Sequence, residues 1–259
     1  MKLNHAACVL TATLLASTAS AQSFEYRGSV VSLTYIDNDF DAAPGEAGQL
    51  TSTTAFAFGN LLGEVFLGYT DENSAGANYA ETTTIGLRGL YEFSDSFAAG
   101  VYAHQNLSDF DAGGTNDTTN VGLDVRASMG AYSFDGYFGA NEDDTNTYDD
   151  WTSLGLRGSV QISNMTTLFL QYQRDDATGG GLDFDVDAVT LGATLDLQGV
   201  YAPIGRPVYV TGEIGRWSGL GGSPDWTQIA VTLSVPFGNN AATPPAFRGS
   251  RTLYTEFGY

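Results

Sequence analysis

Trp226-Thr227-Gln228-Ile229-Ala230-Val231-Thr232-Leu233-Ser234-Val235-Pro236-Phe237 alternates without a break. Ile229, Val231, Leu233, Val235 and Phe237 share one face; Gln228, Ala230, Thr232 and Ser234 share the other. A period of two is the mark of a β-strand, because successive side chains leave opposite sides of the sheet. Pro236 stands near the end, where its missing N–H disturbs the ladder least. Two further segments repeat the pattern. Ile85, Leu87, Tyr91 and Phe93 oppose Thr82, Thr84, Gly86, Arg88 and Glu92, while Leu154, Leu156, Val160 and Ile162 oppose Ser153, Gly155, Arg157, Ser159 and Gln161.

The polar face decides which kind of sheet this is. A soluble sheet protects its wet face with lysines, but here that face carries Gly, Ser, Thr, Gln and isolated charges, which suit a crowded interior. The apolar face is then the outer one. Aromatic residues gather near strand ends (Tyr35, Tyr69, Tyr91, Phe93, Phe97, Tyr132, Tyr172, Trp226, Phe237), as an interfacial girdle requires. From Gln22 onward no stretch approaches the roughly 20 apolar residues of a spanning helix, so a membrane protein with this sequence must close its strands into a barrel.

Twelve strands are expected, over residues 24–36, 50–58, 63–69, 79–93, 97–107, 120–130, 132–140, 151–162, 166–173, 183–197, 208–217 and 226–237. Long acidic connections (near 37–49, 70–78, 108–119, 141–150, 174–182 and 218–225) alternate with short ones (near 59–62, 94–96, 129–131, 163–165 and 198–207). That alternation fits short periplasmic turns and longer outer loops, and an even strand number returns both ends of the sheet to the same side. Related strings recur once per hairpin, at Ile85-Gly86-Leu87, Val121-Gly122-Leu123, Leu154-Gly155-Leu156 and Leu191-Gly192-Ala193.

The N-terminus reads as an export signal. Lys2, the only lysine, precedes an apolar run from Ala6 to Leu15 and a small-residue stretch ending Ala19-Ser20-Ala21, so residues 1–21 are expected to be removed. Cys8, the only cysteine, lies within them, and the mature chain therefore forms no disulfide. Nine arginines then face 30 acids, a balance that excludes nucleic acid as a partner because nothing neutralises phosphates.

The export signal, the alternating strands and the ending Val231-Thr232-Leu233-Ser234-Val235-Pro236-Phe237 resemble the Gram-negative outer-membrane β-barrel, porin-like superfamily. The resemblance implies an all-β, transmembrane antiparallel up-and-down barrel over residues 22–238, located in the cell outer membrane. It also implies that the barrel-assembly machinery reads the aromatic-ended strand. One departure stands out. In that superfamily the aromatic-ended strand normally closes the chain, whereas here Gly238–Tyr259 continues it; residues 239–259 are expected to form a periplasmic tail or plug.

No catalytic constellation is present. His104 lies on a strand face with Gly100, Tyr102 and Asn106 and has no recognisable serine partner motif, so no enzyme activity is expected, and no cofactor or metal motif is present. The inner-face parity collects Arg88, Arg126, Arg157, Glu64, Asp124, Asp135, Asp196, Glu213 and His104 as candidate pore-lining residues, since ionisable groups at membrane depth must face water or each other. Gly86, Gly100, Gly122, Gly155, Gly192 and Gly215 fall on the same face and are expected to remove bulk; Phe169, Tyr102, Tyr137, Tyr209 and Trp217 restore some of it. Twelve strands lie between the filled barrels of about eight and the open ones of 16 to 18, so strand number leaves an open pore and a filled interior both standing. The acidic loops, with Asp37-Asn38-Asp39 and Asn141-Glu142-Asp143-Asp144, match no defined calcium loop; divalent cations bridging to lipopolysaccharide are candidate ligands there, beside plain solvation.

The expected function is a porin-like channel for passive diffusion of small hydrophilic solutes. The alternative is a structural or interaction barrel with a closed lumen that binds lipid, surface polymer or a protein partner through its acidic loops or tail.

Overall fold

The computed structural model describes residues 24–39, 45–74, 80–110, 114–144, 150–179, 182–201, 206–220 and 225–238. The expected export segment 1–21 and the extension 239–259 lie outside these residues. Twelve strands follow one another: β1 (Phe24–Asp39), β2 (Gly45–Phe58), β3 (Leu61–Ser74), β4 (Ala80–Ser94), β5 (Phe97–Phe110), β6 (Thr115–Met129), β7 (Tyr132–Asp143), β8 (Asp150–Gln161), β9 (Thr166–Gly179), β10 (Leu182–Asp196), β11 (Tyr209–Leu220) and β12 (Trp226–Phe237). Each pairs antiparallel with its sequence neighbours, and β1 closes on β12 to complete an up-and-down barrel.

The short connections are tight because their residues allow it. Gly59 (φ 58°) and Gly130 (φ 63°) sit in the left-handed region that two-residue hairpin turns need, joining β2 to β3 and β6 to β7. Between β10 and β11 a single-turn helix, α1 (Leu197–Val200), is capped by Asp196, whose carboxylate accepts the Gln198 N–H at 2.9 Å. The β11 ladder on β12 ends at Ser234, so Pro236 pairs only with Val30 of β1 and its missing donor breaks no bond toward β11.

The strands outrun the expected boundaries on the long-loop side. β1 has 16 residues and even the shortest strands have 12, whereas about 9–11 suffice to cross a bilayer. Segments such as Asp37–Asp39 and Asn141–Asp143, read from their acidity as loop, continue the ladder; hydrogen-bonding register carries a strand past the membrane edge where charge no longer matters.

Leu33, Leu50, Leu67, Leu87, Leu123, Leu156, Leu170, Leu191 and Ile229 point outward and are exposed, part of a belt running around the barrel. Each contributes about 1.5–3 kcal/mol when apolar surroundings replace water, so the belt calls for lipid. Tyr91, Phe93 and Phe97 cluster at its short-turn edge with ring centroids 4.9 and 5.6 Å apart, and Tyr35, Tyr69 and Tyr172 mark the opposite edge. Trp226 departs from the expected girdle. It is buried inside the barrel, stacked on Trp217 across the β11–β12 pair with centroids 5.8 Å apart, because β12 parity places it with Gln228 rather than with Ile229.

Candidate functional site in the barrel lumen

The nine expected inner-face residues all lie on the lumen side of the wall, and the structure sorts them into unequal groups. Cross-strand register sets Glu64 of β3 opposite Arg88 of β4, and Arg126 of β6 opposite Asp135 of β7. Arg88 reaches Glu64 at 3.0 Å and Asp124 at 2.8 Å, while Arg126 reaches Glu64 at 3.1 Å and Asp135 at 3.8 Å. Two arginines and three acids thus form one continuous network across β3, β4, β6 and β7. The side chains of Arg88 and Asp124 are only 7% and 3% exposed, so each charge is held by its partners rather than by bulk water.

Arg157 belongs to a second group. Its guanidinium lies 3.7 Å from the centre of the Phe169 ring, a cation–π contact between β8 and β9, and it shares a cavity wall with Glu213. Asp196 faces inward at the short-turn end and also caps α1. His104 is buried between Phe66 (5.9 Å between centroids) and Tyr102 (5.2 Å).

The inner glycines do not simply widen the lumen, as their parity had suggested. A Cβ on Gly86 would come within 2.4 Å of the His104 ring, and one on Gly192 within 2.2 Å of the Phe169 ring. Both rings lie directly across the ladder from their glycine, so the missing side chain is filled by a neighbouring ring. Gly122 is tighter still, since a Cβ there would meet the Phe138 carbonyl oxygen at 2.2 Å.

Along the axis the lumen has two regimes. At the short-turn end a cavity of about 400 Å³ runs from the turns up to Glu64, Arg88, Arg157 and Glu213. Toward the long loops the inner face is packed. Asn120 donates to Asn141, Asn141 to Ser153 at 2.8 Å, and Ser153 to Asp175, a relay over four strands whose members are all buried. Gln173 donates to the Tyr137 hydroxyl at 3.2 Å and Gln228 to Asn38 at 3.1 Å. All three tryptophans, Trp151, Trp217 and Trp226, are buried in this half.

Asn120 and Ser153 of this relay lie within expected strands, but Asn141 and Asp175 sit on strand ends read from their acidity as loop, so the relay was not assembled from sequence. Among the described residues no group of three or more His, Cys, Asp or Glu is arranged to hold a metal ion, and no helix is long and apolar enough to cross a membrane.

A closed all-antiparallel barrel with an apolar belt outside and charged and hydroxyl groups inside defines the class: this chain has the fold of an outer-membrane β-barrel. The sequence matches no known family and no curated protein. Among solved structures it is similar to an outer membrane channel from Pseudomonas putida F1, with TM-score 0.61 and 11% identity over 85% of this chain and 98% of that one. It is also similar to the KdgM porin, with TM-score 0.50 and 14% identity over 80% of this chain and 100% of that one. The same porin in complex with disordered oligogalacturonate gives TM-score 0.50 and 11% identity, covering 81% of this chain and 99% of that one. At these identities the likeness is one of fold, and the proteins named are channels and porins rather than enzymes.

Proposed function

We propose that the chain is an outer-membrane channel that passes small hydrophilic solutes by passive diffusion, with Arg88, Arg126, Arg157, Glu64, Asp124, Asp135, Asp196, Glu213 and His104 lining its path. The observation that carries this reading is the charge-bearing cavity of about 400 Å³ inside a barrel with an apolar outer belt. Three arginines against five acids on that path give a negative interior, which favours neutral and cationic solutes over anions. Outer-membrane lipid and lipopolysaccharide surround the belt, divalent cations bridge the acidic rim to lipid phosphates, and the assembly machinery reads β12. Residues 1–21 are removed on export, and residues 239–259 form a periplasmic tail or plug.

The packed loop half supports a second reading, a structural or interaction barrel with a closed lumen. Single-channel conductance of residues 22–259 in planar bilayers separates the two. Discrete steps support the channel. Steps that appear only after removal of residues 239–259 make the extension a plug, and silence in both forms with folding confirmed favours the closed barrel.

A further inference from the structure

The cavity at the short-turn end has two unlike walls. Along β1, β12, β11 and β10 it is lined by hydroxyl pairs: Ser32 with Ser234 at 2.8 Å and Thr194 with Thr211 at 2.9 Å. Such a pair uses one hydrogen between its members, so it retains a donor as well as acceptor lone pairs for a third group. Asp196 of β10 and Glu213 of β11 stand beside these hydroxyls, while the facing wall carries Arg88 on Glu64 and Arg157 on Phe169.

These walls specify a ligand. A group that both donates and accepts, such as an alcohol, satisfies the hydroxyl wall, whereas a carboxylate would meet Glu64, Asp196 and Glu213 against Arg88 and Arg157. A cation would have to compete with Arg88 and Arg126 for Glu64 and with the Gln198 N–H for Asp196. The cavity volume of about 400 Å³ falls within the roughly 300–1,000 Å³ typical of small-molecule sites. Its lining includes Phe66 and Tyr209, apolar faces against which the C–H side of a sugar ring can lie.

We propose that this cavity is a binding site for a neutral polyhydroxylated solute of monosaccharide size, reached from the short-turn end. The proposal rests on reading the barrel as a channel for hydrophilic solutes and names the class of solute. It separates this chain from a porin that accommodates an acidic sugar polymer, because the charge balance of the wall is wrong for one.

Galactose, galactosamine and galacturonate are related hexopyranose probes that are neutral, cationic and anionic, and saturation-transfer NMR on residues 22–259 refolded in detergent micelles reads the binding of each. Galactose is expected to bind saturably and galacturonate about tenfold more weakly or not at all. Replacing one hydroxyl pair by Thr194→Val with Thr211→Val should weaken galactose by roughly five- to tenfold, the effect of losing one or two neutral hydrogen bonds, with the folded gel mobility retained. Should that variant fail to fold, Ser32→Ala with Ser234→Ala gives the same readout on the neighbouring pair. Galacturonate binding as tightly as galactose, no saturable galactose binding, or undiminished binding in a folded hydroxyl-pair variant would each overturn the proposal. Galactose binding without conductance steps would overturn the channel reading and keep the site; steps without galactose binding would overturn the site alone.

Discussion

Replacing Arg88 by methionine tests whether the lumen charges are held by each other or by water. The guanidinium makes ion pairs at 3.0 Å to Glu64 and 2.8 Å to Asp124, and Asp124 is 3% exposed at its side chain. Glu64 keeps Arg126 at 3.1 Å after the change, but Asp124 loses the arginine that approaches it most closely. Breaking a buried pair from one side costs about 3–5 kcal/mol because a charge is left uncompensated. With an unfolding slope of roughly 1–3 kcal/mol per molar urea, the midpoint should fall by about 2 M. Reversible urea unfolding of residues 22–259 in phosphocholine vesicles, followed by tryptophan fluorescence and gel mobility, measures this. Adding Asp124→Asn removes the stranded charge, so the double variant should recover about 0.5–3 kcal/mol relative to Arg88→Met alone. A cost below about 1 kcal/mol with no recovery would refute the reasoning and mean that water solvates these groups, which a broad open pore would allow.

Three other outcomes are expected. Gly86→Ala should destabilise the barrel by about 1–3 kcal/mol through its contact with the His104 ring and be rescued by His104→Ala, whereas Gly122→Ala should resist rescue by Tyr102→Ala, because its Cβ would strike the β7 backbone; chemical unfolding of the four variants distinguishes ring from backbone. Trp217→Ala should cost about 3–5 kcal/mol and raise single-channel conductance if the stacked pair obstructs the path; unchanged conductance in a folded variant places the resistance elsewhere. Leu123→Arg on the belt should cost about 2–4 kcal/mol in lipid, while Thr53→Arg on the cavity side should cost distinctly less, and equal costs would contradict the assigned faces.

Strand number, strand direction and the face of nearly every side chain were legible in the sequence. Alternation has a period of two wherever lipid lies on one side and a polar interior on the other, so Ile229 and Gln228, or Leu87 and Arg88, declare their sides locally. The alternation of long and short connections declared the closure. Where parity was followed through, as at Trp217, the side came out right; where position near a strand end was used instead, as at Trp226, it did not.

What only the tertiary structure decided is how inner-face residues meet. Parity puts Glu64 and Arg126 on the same face, yet they are 62 residues apart, and their contact depends on the register of three intervening ladders and on the curvature of the closed wall. The same registers seat His104 against Gly86 and Phe169 against Gly192, so glycines that look like open space from sequence are filled from across the ladder. Register also carries strands beyond the membrane edge, which turns apparent loop residues such as Asn141 and Asp175 into packed lumen. A one-dimensional pattern fixes which way a side chain points, because that is a property of its own backbone. What fills the space it points into belongs to residues brought near by closure.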